Sequence, residues 1–262
     1  MNLVKENLRH YLPAIVEFLG KHDFPWTKVN SDFNKKIQKR LEEASGETFT
    51  VEASIYDIII ACKKGLKDYE GLLVFFNRLF EELIIKTDDN TRAVIKTTVW
   101  NLLISFDSKY LNYIGELAVL NNLLKSKTVE LIKCEVSLDN NKSIDFDVLF
   151  PENGMRVLIE VVNIHLDPQK TEDDPQKIKS FLKKRLTDKR KSKTQDSKYA
   201  DKVHLIPVLW GSHKDLRIYE RFFKSHKLDL PLTYEPMAYL TYSDSNGYFE
   251  TYFNPITKLF KE

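Results

Sequence analysis

The stretch SIDFDVLFPENGMRVLIEVVN, residues 143–163, embeds acidic side chains in apolar runs, where a carboxylate must be paired or put to use. Side chains along a strand alternate faces. In a strand over 144–150, Asp145, Asp147 and Leu149 therefore share one face, opposite Ile144, Phe146, Val148 and Phe150. In a second strand over 157–165, Leu158, Glu160, Val162 and Ile164 share a face. Asn153-Gly154 is a preferred pair for a two-residue hairpin turn. Such a turn pairs Glu152 with Met155 and sets Asp147 directly opposite Glu160. Like charges directly opposed destabilise a ladder, and burial of an unpaired carboxylate is costly. A hard divalent cation would turn that clash into a ligand set, because Mg²⁺ is usually held by one or two carboxylates plus substrate phosphate. A longer loop would shift the register, and Lys or Arg side chains would neutralise the pair. Both alternatives stay open.

A third acid, Glu116, lies between Tyr113 and Leu120 at helical spacing, on the border of an apolar stripe. Its helix immediately precedes the strands, so the expected metal set is Asp147, Glu160 and Glu116. Asn163 and His165 fall on the strand face opposite Glu160 and are expected to stay off this site.

Charge is uneven along the chain. Residues 176–202 carry eleven Lys or Arg against three Asp, a balance of +8 within a chain whose net charge is +2. A basic stripe of this kind suits a phosphate-backbone partner, DNA or RNA, and Lys183, Lys184, Arg190 and Lys191 are the expected contacts. A solvated helix face is the plainer alternative.

The elements that must position these groups follow from periodicity and caps. Residues 1–106 read as helices and 107–262 as a second domain. Asn30 or Ser31 can cap a helix to about residue 44. Thr50 can cap the next, which stops at Gly65, and Leu72, Leu73, Phe75, Phe76, Leu79, Phe80 and Leu83 mark a third. The helical region carries no recognisable chemistry, and binding, dimerisation and regulation are all open to it. Asp107 or Ser108 can cap the helix bearing Glu116. Strands follow over 129–138, 144–150 and 157–165. Asp174-Pro175 then opens the basic helix, running to about residue 193. After it come an apolar strand over 203–210, a helix over 214–225, and a hairpin of 237–242 with 248–253. The fold class is α/β (α+β overall): a helical N-terminal region, then a mixed sheet flanked by helices.

Helix Glu, strand Asp, hairpin, strand Glu-x-x, basic helix and apolar strand, over about 107–210, resemble the restriction-endonuclease-like PD-(D/E)XK nuclease core. The resemblance implies that Asp147 and Glu160 hold Mg²⁺ or Mn²⁺, which activates water against a phosphodiester, and that Glu116 matches the helix acid of many members. The family's Lys, two residues after the Glu, is here Val162. Arg185 and Lys189, on the helix face bearing Ile178, Leu182 and Leu186, are the substitutes that would reach the carboxylates. A metal-dependent nuclease is the leading expectation. The alternatives are an inactive nucleic-acid-binding or assembly protein on the same fold, and an interaction module.

Composition bounds the rest. With 42% hydrophobic and 30% charged residues the chain is a folded protein, not a disordered one. Its apolar runs are far shorter than the ~20 residues of a membrane helix, and MNLVKENLRH lacks a signal-peptide core. A cytoplasmic, soluble protein is expected, with Cys62 and Cys134 as reduced thiols. Trp26, Trp100 and Trp210 sit in apolar patterns and read as core.

Overall fold

The structure is a computed structural model that describes residues 3–20, 24–43, 54–106, 109–126, 128–165, 171, 173–226, 237–242 and 249–254. Two compact units divide it, the first ending at Leu117 and the second beginning at Ala118.

The first unit is helical. Its helices are α1 (Leu3–Tyr11), α2 (Pro13–Leu19), α3 (Trp26–Glu43), α4 (Ile55–Lys63), α5 (Glu70–Lys86), α6 (Asp89–Ile104) and the start of α7 (Tyr110–Leu123). Leu8, Leu12, Ile15, Phe18, Phe76, Phe80 and Leu83 are all buried, and Phe18 of α2 meets Phe80 of α5 edge to face at 5.6 Å. Helix α3 starts earlier than the sequence suggests. Pro25 supplies the carbonyl for Lys28 and Val29, so the helix opens on a proline instead of on Asn30 or Ser31. Helix α4 is capped by Ser54, whose hydroxyl accepts from the Asp57 N–H. It ends at Gly65, where φ is +79°, a left-handed value that glycine adopts without strain. The Thr50 cap and the Asp107 or Ser108 cap lie outside the described residues.

The second unit is built on a six-stranded mixed sheet in sequential order. Its strands are β1 (Glu130–Ser137), β2 (Ser143–Phe150), β3 (Met155–His165), β4 (Val203–Ser212), β5 (Met237–Tyr242) and β6 (Phe249–Asn254). Strands β1, β2 and β3 form an antiparallel meander, β3, β4 and β5 run parallel, and β6 returns antiparallel. The parallel joins are crossovers through α8 (Pro175–Thr194) and α9 (His213–Ser225). The Asp174 side chain accepts from the N–H groups of Gln176 and Lys177, and proline follows at the first helical position, as the sequence implies. Ile178, Leu182 and Leu186 of α8 and Tyr219, Phe222 and Phe223 of α9 form one core with Leu158, Val162, Ile164, Leu205 and Leu209 of the sheet. The near-continuous apolar runs of β3 and β4 follow from this, since Ile159, Val161, Ile206 and Val208 are buried as well.

Candidate active site

The carboxylates converge, but not in the pairing drawn from the Asn153-Gly154 turn. Phe150 pairs with Met155, which leaves a four-residue connection, Pro151 to Gly154. Gly154 carries the left-handed φ of +66°, and the Asn153 side-chain oxygen accepts from the Met155 N–H at 2.9 Å. Proline cannot donate to a ladder, so the hairpin closes at Phe150 instead of continuing through Pro151. The register therefore shifts by two residues. Asp147 lies opposite Leu158, not Glu160. It stays on the Glu160 face because opposed residues share a face and Leu158 and Glu160 are two apart.

The residue brought level with Glu160 is Asp145, one step past the last regular pair, Phe146 with Ile159. Its Oδ2 accepts from the Val161 N–H at 2.6 Å, a side-chain bond in place of the next rung. The partner position on β1 is also irregular: Glu135 has φ +53° and is skipped between the Cys134–Phe146 and Val136–Ile144 pairs. Desolvation, and then the Glu160 charge, push the Asp145 carboxyl well above the ordinary aspartate range. The Val161 N–H, Lys189 and Lys193 pull in the opposite direction.

Glu160 is fully buried. Two ammonium groups from α8 reach it, Lys189 Nζ at 2.8 Å and Lys193 Nζ at 3.0 Å from Oε1. Both are ion pairs outside hydrogen-bond geometry, and neither Glu160 oxygen has a hydrogen bond among the described residues. Lys193 Nζ also donates to the Ser143 carbonyl at 2.6 Å, tying the end of α8 to the start of β2. The β1–β2 connection ties the same helix end again. Asn140 Nδ2 donates to the carbonyls of Lys193 and Gln195 at 2.9 and 2.8 Å. Ser197 donates to Asp139, and that bond holds the Asp139 carboxyl below its usual range.

The helix face explains these positions. Leu182, Leu186, Lys189 and Lys193 follow one another at three- and four-residue steps, so the apolar row that docks α8 ends in two lysines over Glu160. Lys189 is placed as the sequence suggests. Lys193 is absent from the residues expected at the site, although the same spacing points to it. Arg185 departs from expectation: it is exposed, and its charge, after desolvation, lowers the pKa of His165. Val162 is buried against α8, so the slot of the expected motif lysine is core.

The remaining residues are distributed as follows. Arg156 clamps the buried Asp147 carboxylate with Nε at 2.7 Å from Oδ1 and 2.9 Å from Oδ2, and with Nη2 on Oδ2. Glu116 is buried in α7, within the first unit. Asn163 accepts from Trp210 Nε1 at 2.8 Å and His165 stacks on the same indole, both away from Glu160. On the outer face of α8, Lys184 and Lys191 are exposed and Lys183 is half-buried. Arg190 is turned inward, donating to the Ala200 carbonyl at 3.1 Å and the Val203 carbonyl at 3.4 Å, which sets it apart from the phosphate contacts assigned to it from the charge pattern.

Trp210 is buried, as its sequence context implies, whereas Trp26 and Trp100 are only half-buried and depart from the core reading. Among the described residues no three Asp, Glu, His or Cys side chains form a group that could hold a metal ion. No described helix is long and apolar enough to cross a membrane. Compared with known protein families, curated proteins and solved structures, the chain matches none.

Proposed function

We propose that this chain is a metal-dependent nuclease that hydrolyses phosphodiester bonds of DNA or RNA on a restriction-endonuclease-like core. The order helix, three antiparallel strands, helix, parallel strand supports the reading. The observation that carries it is the pairing of half-buried Asp145 with fully buried Glu160, met by Lys189 and Lys193 from the following helix. A structural strand has no use for two opposed acids in its centre, and a cation beside them is what the expected chemistry lacks at Val162.

The donors fit a small hard cation. Mg²⁺ is commonly held by one or two carboxylates with substrate phosphate completing the shell, so a third protein acid is not required. Asp145 and Glu160 would hold it, with Asp147 available where Arg156 releases it. When bound, a divalent cation there would act as a Lewis acid and lower the pKa of its water. The chain's own groups do the rest. Lys189, partly exposed beside Glu160, offers positive charge to a phosphoryl group whose negative charge grows in the transition state. Lys193 holds Glu160 in place through its second bond to Ser143. In the metal-free chain Asp145, with Oδ2 occupied by the Val161 N–H, can hold a proton at Oδ1 at a pH where an ordinary aspartate has lost it, and a bound cation would displace that proton. Lys183, Lys184 and Lys191 supply a phosphate-tracking outer face.

The test is cleavage of labelled single- and double-stranded DNA and RNA in Mg²⁺ or Mn²⁺ by the wild type, Asp145→Asn and Glu160→Gln. The wild type should cut at least one substrate, and both variants should lose cleavage but keep binding. Activity that survives the double substitution would overturn the assignment of the site. A second reading, a nucleic-acid-binding protein without catalysis, is favoured by one observation: Lys189 and Lys193 already balance Glu160 from within the fold. A pure wild type that binds but cuts no substrate in either metal would establish it.

A further inference from the structure

The carboxylate face of the sheet is open toward the β2–β3 hairpin. Paired residues share a face, so the register sets Lys133 of β1 beside Asp147 of β2, and Leu149 of β2 beside Arg156 of β3, on the face that carries Glu160. The apolar core shared with α8 reaches Leu158 on this face. At the next pair Leu149 is only half-buried and Arg156 is exposed, and Lys133 is exposed on β1.

Arg156 and Asp147 form an ion pair with two unlike ends. The Asp147 side chain is 4% exposed and that of Arg156 is 61% exposed. Nε and Nη2 of the guanidinium meet the carboxylate, which fills one edge of the planar group. A guanidinium carries five N–H donors in a rigid fork. The two on Nη1 and the outer one on Nη2 make up the other edge. Among the described residues Arg156 has no hydrogen-bond or ion-pair partner besides Asp147, and Lys133 has none.

Stability alone does not ask for this arrangement, because apolar residues in place of a buried ion pair are often as stable or more so. What the pair supplies is a guanidinium aimed by a dry, fixed carboxylate, with a two-pronged edge left for an acceptor. That edge matches two oxygens of a phosphodiester. Glu130, exposed and opposite Leu149, lies on the same face and offsets one positive charge, so the recognition is one of geometry more than of bulk charge.

We infer that Arg156, aimed by Asp147 and flanked by Lys133, is a binding fork for a backbone phosphate of the nucleic-acid strand on which the carboxylate site acts. The inference rests on the nucleic-acid partner of the proposed function, not on cleavage. Four residues of β3 separate Arg156 from Glu160, about 13 Å of strand. The fork therefore holds a phosphate other than the one at the carboxylates. Asp147 is a positioning residue that stays on the guanidinium, and a divalent cation is left to Asp145 and Glu160.

The experiment uses the full chain in EDTA, which prevents metal-dependent cleavage. Labelled dT and rU oligonucleotides and a blunt duplex are titrated by anisotropy over a range of salt. Arg156→Gln should weaken the best-bound probe at least about fivefold. It should also lower the log–log salt slope by about 0.7 for a single strand or about 0.9 for a duplex. Arg156→Lys keeps the charge but not the planar fork, so it should restore the slope and not the affinity. Asp147→Asn is the deciding variant. It removes a negative charge, so a surface working by charge alone would bind more tightly, and a residue serving only as a metal ligand would change nothing in EDTA. Loss of the carboxylate that aims Arg156 should instead weaken binding about threefold, with no further loss in an Arg156→Gln background. Urea unfolding checks that each variant is folded, and Arg156→Lys, altered only at an exposed side chain, tests the fork even where Asp147→Asn does not fold. The fork is overturned if Arg156→Gln, Arg156→Lys or folded Asp147→Asn binds as tightly as the wild type, or if the wild type binds no strand. A wild type that binds through Arg156 but cuts nothing in Mg²⁺ or Mn²⁺ overturns the nuclease reading and upholds the fork.

Discussion

Removal of the two lysines over Glu160 isolates what the site costs and what holds it. Glu160 is fully buried, and its compensation comes from Lys189 and Lys193, whose side chains are 35% and 18% exposed. Stripping a buried charge of its partners costs about 3–5 kcal/mol, so Lys189→Met with Lys193→Met should lose about that much against the wild type. The drier contact is the larger share: about 2 kcal/mol for Lys193→Met alone and about 1 kcal/mol for Lys189→Met. The decisive comparison is the same pair of substitutions in a Glu160→Gln background. With no charge left to strand, the double replacement should cost less than about 1 kcal/mol there, the residue of packing and of the Lys193–Ser143 bond. Urea unfolding of the four proteins at neutral pH, with m-values compared for two-state behaviour, measures the coupling. Equal losses in the wild-type and Glu160→Gln backgrounds would refute the reasoning, because the lysines would then stabilise α8 without reference to the carboxylate.

Two further outcomes follow from the electrostatics. Burial and the Glu160 charge raise the Asp145 pKa in the folded chain, so the stability this group contributes is full below the ordinary aspartate value of about 3.9 and is lost as pH rises through the raised one. Asp145→Asn should therefore gain stability relative to the wild type between pH 4 and neutrality, and parallel stability–pH curves would count against the Asp145–Glu160 pair. His165 is held below its usual pKa by desolvation and then by Arg185, so Arg185→Gln should move its imidazole titration upward in an NMR pH series. An unmoved titration would place Arg185 elsewhere.

The order of elements is legible in the sequence because its signals are local. Asp174-Pro175 announces α8, Gly65 ends α4, and the apolar run of β4 needs no partner to be recognised. The register between β2 and β3 is not. It depends on whether Pro151 and Glu152 belong to the strand or the turn, and a difference of two residues exchanges Asp147 for Asp145 beside Glu160. Face assignments survive an even shift, since strand periodicity is two, which is why the carboxylate face can be read from the sequence and the partner cannot. Lys189 follows from the helical row of Ile178, Leu182 and Leu186, but Arg185 does not: a residue three from Leu182 sits at the edge of the stripe, and a long guanidinium finds water there. Val162 looks like a vacancy for a cation, yet the packing of α8 makes it a place where a lysine would be stranded in hydrocarbon.

The bonds from Asn140 to the last carbonyls of α8 bear on how this chain tolerates change. A final helical turn ordinarily frays, and a hairpin tip ordinarily accepts inserted residues. Here each restrains the other, so the amides of the last turn of α8 should exchange with solvent as slowly as those of its middle. A residue inserted at 139–141 would reach past the surface, freeing the helix end that carries Lys193 and loosening its hold on Glu160 from the far side of a loop.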